Sequence, residues 1–508
     1  MTLRRLAVVV TLWAWLAHPA QAMALPRLAP TAAPDLAVID AYVEARMQDL
    51  HIPGLALGIM QQDQAIHLRG FGSADPSGRP VTPQTPFRLA SVSKPLTAIA
   101  VMQLVERGLL DLDAPVQVYL PWFRVADAAA SAGIAVRHLL YHTSGVPQSA
   151  GNDNFYNGDL SDEALERNVR RLAAVALNRP VGSSYEYANL NYDTLGLIVQ
   201  AASGQPYEAY LQEHVFGPLD MRQSFTSQAQ ANEHGLAVGY RQWVGWPIAA
   251  HLPDDRATRP SSFLIASAED LTHVLIAALN DGSYGDAALL SAEGMAAVLQ
   301  PAVAIGDSGW HSAMGWEIGD VEAVQVAAKT GGTANYNARI VLAPQAGWGV
   351  VVLANTFDIG LGSHYEAIAD GVVTLVASGQ TPTAPEAPLG GGNAVIKLTL
   401  AAVVGFELYT LLRMRLPTLP VRSSWRWLMR HIGLPLALDL VLICFLLLGA
   451  PRLMNAPLRF LWYFAPDLLW LTVAVVALPL GRDVLKALLI CRADSHRTRT
   501  AIPASAPG

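Results

Sequence analysis

Apolar residues recur every three or four positions over residues 35–50, with Leu36, Ile39, Val43, Met47 and Leu50 along one face, which predicts an amphipathic helix. Two apolar runs of strand length follow, Leu55–Met60 and Ala65–Phe71, separated by Gln61-Gln62-Asp63-Gln64. A longer helical pattern from about Ser91 to Leu109 turns Ala98, Val101, Met102 and Val105 inward. Residues 110–300 read mostly as helices and loops. A second pair of strand-like runs, Ala338–Pro344 and Trp348–Ala354, precedes a helix near 363–377. Strands at both ends of a helical middle predict an α/β chain of the α+β kind. Its antiparallel sheet is built from both termini and flanked by helices, with an all-helical domain between.

Longer apolar runs lie at the two ends. Residues 1–22 combine Arg4 and Arg5, an apolar run from Leu6 to Leu16, and Ala20-Gln21-Ala22, the pattern of a secretory signal peptide. The paired arginines also fit a twin-arginine signal, but the rest of that pattern is missing. Runs at about 394–412, 432–450 and 460–480 are long enough to predict three transmembrane helices. Arg413, Arg415, Arg422, Arg426 and Arg430 follow the first run, and a basic tail (483–508) follows the third. The positive-inside rule puts that loop and the tail in the cytoplasm, hence residues 23–378 outside, as the signal peptide also requires. The expected location is a bacterial inner membrane, multi-pass, with a Pro/Gly linker (379–393) joining the outer domain to the helices. Glu407, Asp439 and Asp467 inside the runs should face one another, Lys397 or water, forming a polar seam rather than a substrate path.

Charge sharpens this division. The chain carries a formal net charge of −7, yet residues 391–508 hold 13 Lys/Arg against 5 Asp/Glu. The exported part is therefore acidic, which argues against nucleic acid as a partner and leaves the lipid bilayer to the basic ends. Both cysteines, Cys444 and Cys491, lie beyond the exported domain, which must be stable without disulfides. Residues 23–390 contain 17 arginines but only two lysines, Lys94 and Lys329. A surface preference for arginine explains this and leaves lysine where arginine cannot stand in, because a buried lysine can lose its proton and act as a base.

Each lysine closes or opens a short motif. In Ser91-Val92-Ser93-Lys94 the serine and lysine are three residues apart at a helix start, so their side chains share a face. A serine hydroxyl needs a base to become a nucleophile, and a desolvated lysine supplies one. A helix cap followed by a solvated lysine is the plainer alternative. In Tyr187-Ala188-Asn189 the phenol can relay a proton and Asn189 can hold a substrate amide, although Tyr-x-Asn is often a loop. Lys329-Thr330-Gly331-Gly332 lies just before a strand, where its lysine can act on Tyr187 through charge and its glycines allow a backbone N–H to approach a substrate. No His-Glu-x-x-His motif occurs, so no metal and no cofactor are implied. Tyr240, Trp243, Trp246 and His251 fit either a substrate cleft or loop packing.

In this order the three motifs resemble those of the serine β-lactamase and penicillin-binding-protein superfamily, in its class C, D-peptidase and carboxylesterase branch. Val136-Arg137-His138-Leu139-Leu140-Tyr141-His142-Thr143-Ser144-Gly145, Asn189-Leu190-Asn191-Tyr192 and Val352-Leu353-Ala354-Asn355 also fit its pattern, over about 36–378. Ser261-Ser262-Phe263 departs from it where relatives often carry a glycine pair. The resemblance implies a β-lactamase/transpeptidase-like fold and a Ser91 acyl-enzyme, with Lys94 and Tyr187 handling the proton and Lys329 supplying charge. It also implies an oxyanion hole from the N–H groups of Ser91 and Gly332, with Asn189, Thr330, Gly332 and Asn335 meeting the substrate. His138 and His142 look structural, since no Gly-x-Ser-x-Gly elbow exists for a Ser–His triad. With its C-terminal helices the chain also resembles membrane-bound prodrug-activating D-asparaginyl peptidases. The expected activity is that of an anchored serine hydrolase, a peptidase or amidase on small D-residue or acylated peptides. A carboxylesterase or β-lactamase with the same site, and a penicillin-binding sensor without turnover, are the alternatives.

Overall fold

The computed structural model describes residues 34–151, 155–383, 385–386, 394–413, 425–429, 433–449 and 458–500. The expected signal peptide and most of the linker lie outside the described residues. Helix α1 (Leu36–Asp49) starts where the Asp35 carboxylate accepts the Ala37 N–H, and it buries Ile39, Val43 and Met47. Strands β1 (Gly54–Gln61) and β2 (Gln64–Gly72) form the first hairpin. Helices α2 (Ser93–Glu106) and α3 (Asn189–Ser203) anchor the helical middle. A small hairpin, β3 (Tyr240–Trp243) and β4 (Trp246–Ala249), precedes helix α4 (Ala268–Leu279).

Short strands β5 (Val303–Ala304) and β6 (His311–Ser312) lead into β7 (Glu317–Val321), β8 (Val324–Thr333), β9 (Tyr336–Ala343) and β10 (Trp348–Ala354). The sheet order is β2-β1-β10-β9-β8-β7-β6-β5. The two ends of the domain meet antiparallel, from Leu55 opposite Ala354 to Gln61 opposite Trp348, so the sheet is built from both termini as the pattern predicts. It has eight strands rather than two hairpins' worth. The strand pattern missed β8 because Lys329-Thr330-Gly331-Gly332 reads as a turn; the motif lies within the strand, not before it.

Both faces of the sheet are covered. Helix α5 (Gly362–Ser378) and α1 enclose one core with Val350, Val352 and Trp348. Helix α4 and the helical middle enclose the other, which runs through α2 and α3. The strands facing both cores, β9 and β10, are buried along their whole length for that reason.

The C-terminal part corrects one expectation. Among the described residues two helices are long and apolar enough to cross a membrane, α6 (Ala394–Leu412) and residues Pro466–Lys486 of α9 (Pro466–Thr500), each with mean hydropathy 1.8. The middle run forms helix α7 (Leu434–Cys444) and a π-type turn, Phe445–Gly449, with the short helix α8 (Leu458–Phe464) after it. Helical rise gives Leu434–Gly449 about 24 Å, short of a hydrocarbon core of about 30 Å. Lys397 pairs with Asp467 at 2.8 Å and Glu407 with Arg482 at 2.6 Å, so α6 and α9 run in the same direction. Arg482 also lies 3.7 Å from Asp439 of α7, and these pairs make up the polar seam.

Candidate active site

Ser91 sits on a single 3-10 turn, Ala90–Val92, immediately before α2. Ala90 holds φ +48°, a left-handed conformation that costs an L-residue about 1 kcal/mol. The surroundings enforce it. Ser93 Oγ donates to the Ala90 carbonyl at 2.8 Å and accepts the Leu264 N–H at 3.1 Å, which ties the turn to the wall behind it. In front, β8 passes so close that a Cβ on Gly331 would lie 2.2 Å from the Leu89 carbonyl oxygen and 2.9 Å from Ser91 N. Only glycine fits there, and its fit brings the Gly331–Gly332 peptide beside the Ser91 N–H.

One turn further on, the Lys94 side chain is fully buried. Its Nζ donates to Asn189 Oδ1 and to the Ser261 carbonyl, both at 2.8 Å, and lies 3.1 Å from Ser91 Oγ. Two of these neighbours can only accept. A neutral amine can satisfy both with its two N–H bonds and still direct its lone pair at the serine proton. Tyr187 Oη lies 2.6 Å from the same Oγ. Burial is the main force on Lys94, and with the nearby Lys329 charge it lowers the Lys94 pKa. Burial alone would raise Tyr187, but the two ammonium charges and the hydrogen bonds outweigh it and lower its pKa as well. The pair titrates as a unit.

Lys329 does something different. Its Nζ donates to Glu317 Oε1 at 2.7 Å and stands 5.2 Å from the Tyr187 ring centroid, on which Lys94 Nζ also sits at 4.7 Å. Burial alone would lower its pKa, but Glu317 and the tyrosines raise it above the ordinary lysine value. Burial would raise Glu317, yet Lys329 holds its carboxyl below the usual range. Lys329 is thus a fixed charge behind Tyr187. Glu317 comes from β7, and its one carboxylate has no motif around it in the sequence.

His142 supports Tyr187 from the other side, with ring centroids 4.6 Å apart. Its Nδ1 lies 3.3 Å from the Ala188 N–H and 3.1 Å from Asn191 Nδ2. Accepting both assigns the proton to Nε2. Burial, together with Lys94 and Lys329, holds the imidazole well below its ordinary pKa, so it is a neutral prop. His138 Nδ1 accepts the Ala135 N–H at 3.0 Å. Neither imidazole bonds Ser91. Below Lys94, Asp193 is fully buried and accepts from Asn168 Nδ2 at 3.2 Å; burial pushes its carboxyl well up.

The expected substrate contacts divide. Asn189 Oδ1 is engaged by Lys94, so any contact it makes to a substrate is as a donor. Thr330 Oγ1 accepts from Arg339, which is itself paired with Asp370. Gly332 is half-buried, and a Cβ there would lie 2.9 Å from the Phe357 ring. Asn335 is buried, donates its Nδ2 to the Ala250 carbonyl at 3.0 Å and packs on Gly239, so its amide N–H serves the loop that closes on it. A turn asparagine that closes a buried loop reads the same in sequence as one that meets a ligand. Asn337 donates to the Gly331 carbonyl at 3.1 Å and braces β8. Pairing of β7 with β8 ends at Glu317 and Ala328, so among the described residues Lys329–Thr333 has no strand partner on that side. Trp243 and Trp246 lie at a hairpin tip, not in this cleft. Among the described residues no cluster of His, Cys, Asp and Glu is suited to a metal ion.

A family model described as Beta-lactamase matches residues 39–372. The chain is 28% identical over 320 residues to Protein flp of Staphylococcus aureus (strain MW2), which covers 62% of this chain and 62% of that protein. It is 39% identical over 223 residues to Esterase EstB of Burkholderia gladioli, covering 41% of this chain and 56% of that protein. The chain therefore spans about three fifths of the length of these curated relatives. The solved structure of an octameric penicillin-binding protein homologue from Pyrococcus abyssi shares the fold, with a TM-score of 0.60 at 24% identity over 72% of this chain and 81% of that one. The family match extends over well more than half of the sequence and takes in every motif of the Ser91 cleft, and the chain belongs to the Beta-lactamase family.

Proposed function

We propose that the chain is a membrane-anchored serine hydrolase that works through an acyl-enzyme on Ser91. The observation that carries this reading is the setting of Lys94: buried, 3.1 Å from Ser91 Oγ, and surrounded by neutral acceptors. Neutral Lys94 takes the Ser91 proton, directly or through Tyr187, as Oγ attacks the substrate carbonyl carbon. The N–H groups of Ser91 and Gly332 receive the oxyanion. The proton then passes to the leaving nitrogen or oxygen as the carbonyl–leaving-group bond breaks. Water repeats the sequence on the ester, returning the proton to Ser91. Lys329 favours negative charge on Tyr187 throughout.

The unpaired edge of β8 supports a peptide or amide substrate, because an extended chain can lie along it and exchange backbone hydrogen bonds. Acylated or D-residue peptides outside the membrane are the substrate class this reading favours, and prodrug maturation is one specific form of it. The likeness to a protein named an esterase supports a second reading, a carboxylesterase with the same machinery. Helix α6 and Pro466–Lys486 support the anchor and an extracytoplasmic position for residues 34–378. Comparing N-acyl-D-asparaginyl amides, a cephalosporin and short p-nitrophenyl esters on the purified full chain separates the readings. Turnover of the amides above the esters supports the peptidase, and ester turnover alone supports the second reading. A single burst without steady turnover of any of them contradicts both.

A further inference from the structure

The β3–β4 hairpin carries an apolar surface that the proposed chemistry does not use. Its strands pair Trp243 with Trp246 and Arg241 with Ile248, so these four share one face. The opposite face is inside, with Tyr240 and Gln242 buried. The tip, Val244-Gly245, has φ +50° and +83°, the two-residue turn that matches strand twist. Trp246 is 65% exposed, Ile248 52%, Val244 45% and Trp243 38%. Two tryptophans and two β-branched aliphatics together in water form the kind of patch that marks a contact surface.

Its position says what covers it. The Val244 N–H donates to Asp467 Oδ2 at 2.8 Å, and Asp467 lies in the first turn of α9. The same carboxylate pairs with Lys397 in the first turn of α6. Arg241 Nη1 donates to the Trp462 carbonyl in α8 at 2.9 Å. The tip is therefore fixed at the level where both apolar helices begin. At that level tryptophan is the favoured residue, since its ring body suits the acyl boundary and its N–H the headgroups.

We propose that the hairpin is a third membrane contact, with Trp243, Val244, Trp246 and Ile248 seated in the headgroup–acyl boundary of the leaflet on the catalytic side. This rests on the reading of α6 and α9 as membrane helices. Such a contact fixes how the catalytic domain stands on the bilayer. It is also tied to the central sheet, because the chain after β4 supplies the Ala250 carbonyl that holds Asn335 at the β8–β9 turn.

The test uses the full chain in phosphatidylcholine–phosphatidylglycerol nanodiscs, with Cys444→Ala and Cys491→Ala removing native thiols. Single nitroxide labels go at Trp246→Cys, at Leu408→Cys in α6, and at Asp63→Cys. Asp63 lies in the β1–β2 turn, at the end of the sheet opposite the Leu55–Ala354 pair. Relative accessibility to oxygen and to a nickel chelate then reports depth. The expected result is an oxygen preference at Trp246→Cys intermediate between Leu408→Cys and Asp63→Cys. If Trp246→Cys matches Asp63→Cys while Leu408→Cys prefers oxygen, the hairpin proposal is overturned and the anchor stands. If Leu408→Cys also reads as aqueous, the anchor reading fails and takes the hairpin with it.

Discussion

Lys329 is held by the Glu317 carboxylate at 2.7 Å, whereas Lys94 rests on the neutral oxygens of Asn189 and Ser261 at 2.8 Å. One lysine is locked in its charged form and the other is free to lose its proton, though their ammonium groups flank a single tyrosine ring. Arginine cannot lose a proton, but it can pair with a carboxylate. Lys94→Arg should therefore lower kcat/KM by about a thousandfold or more, the scale of removing an essential base. Lys329→Arg should keep activity within about thirtyfold of wild type, since its loss is one of geometry rather than charge. Steady-state kinetics on both variants checks this, and equal tolerance would remove the distinction.

The pH profile carries a second expectation. The Lys94–Tyr187 pair must be short of one proton to activate Ser91, and its pKa values are lowered by burial of Lys94 and by the surrounding charge. Activity should rise with pH along a limb that lies below the ordinary lysine value of about 10.4. Lys329→Met removes a positive charge that lowers both groups, so the limb should move to higher pH by about one unit. An unmoved limb with reduced kcat would mean that Lys329 acts by packing alone.

Several parts of the site have a residue-type signature, and others have none. Ser91, Lys94, Tyr187 and Lys329 come from chain segments far apart, yet each sits in a short motif whose chemistry can be stated in advance. Glu317 and Ser261 leave no such mark: one supplies a lone carboxylate from a short strand, the other a backbone carbonyl. The terminal hairpins were legible because Leu55–Met60 and Trp348–Ala354 are apolar on both faces of a covered sheet. Strand β8 was not, because the close approach to Ser91 demands glycine where a strand pattern needs side chains. The middle apolar run gives, among the described residues, only the shorter helical stretch Leu434–Gly449, a difference from the other two runs that hydropathy alone does not carry.

Gly331 offers a steric test. Its missing Cβ is what lets β8 approach the Ser91 turn, with 2.2 Å to the Leu89 carbonyl oxygen. That oxygen belongs to backbone and cannot swing aside, so Gly331→Ala must push the strand away. The expected cost is about 1–3 kcal/mol of stability and a loss of kcat of about a hundredfold or more as the oxyanion donors separate. Denaturant unfolding and kinetics on the same preparation measure both. Wild-type kcat would show that the strand edge is not part of the oxyanion site.

His142 links the site to acid stability. Its folded pKa lies well below the unfolded value of about 6.5. Below that value the unfolded chain binds a proton that the folded one refuses, so stability falls as pH drops, by at most about 1.4 kcal/mol per unit from this group. Asp193, whose folded pKa is raised, works in the opposite sense above about pH 4. The comparison is therefore wild type against His142→Gln, whose amide oxygen can still accept the Ala188 N–H. The variant should be less stable at pH 7.5 but lose less between pH 6.5 and 5.5. Parallel curves would mean that His142 takes up its proton in the fold as readily as in the unfolded chain.

Ser91 is proposed to form a covalent bond to the carbonyl carbon of its substrate. Intact-protein and peptide mass spectrometry after exposure to a fluorophosphonate, and separately to a penicillin, reads that bond directly. The result expected is one adduct per chain on the peptide containing Ser91, absent in Ser91→Ala together with all turnover. An adduct at another residue, or turnover that survives Ser91→Ala, would contradict an acyl-enzyme on Ser91.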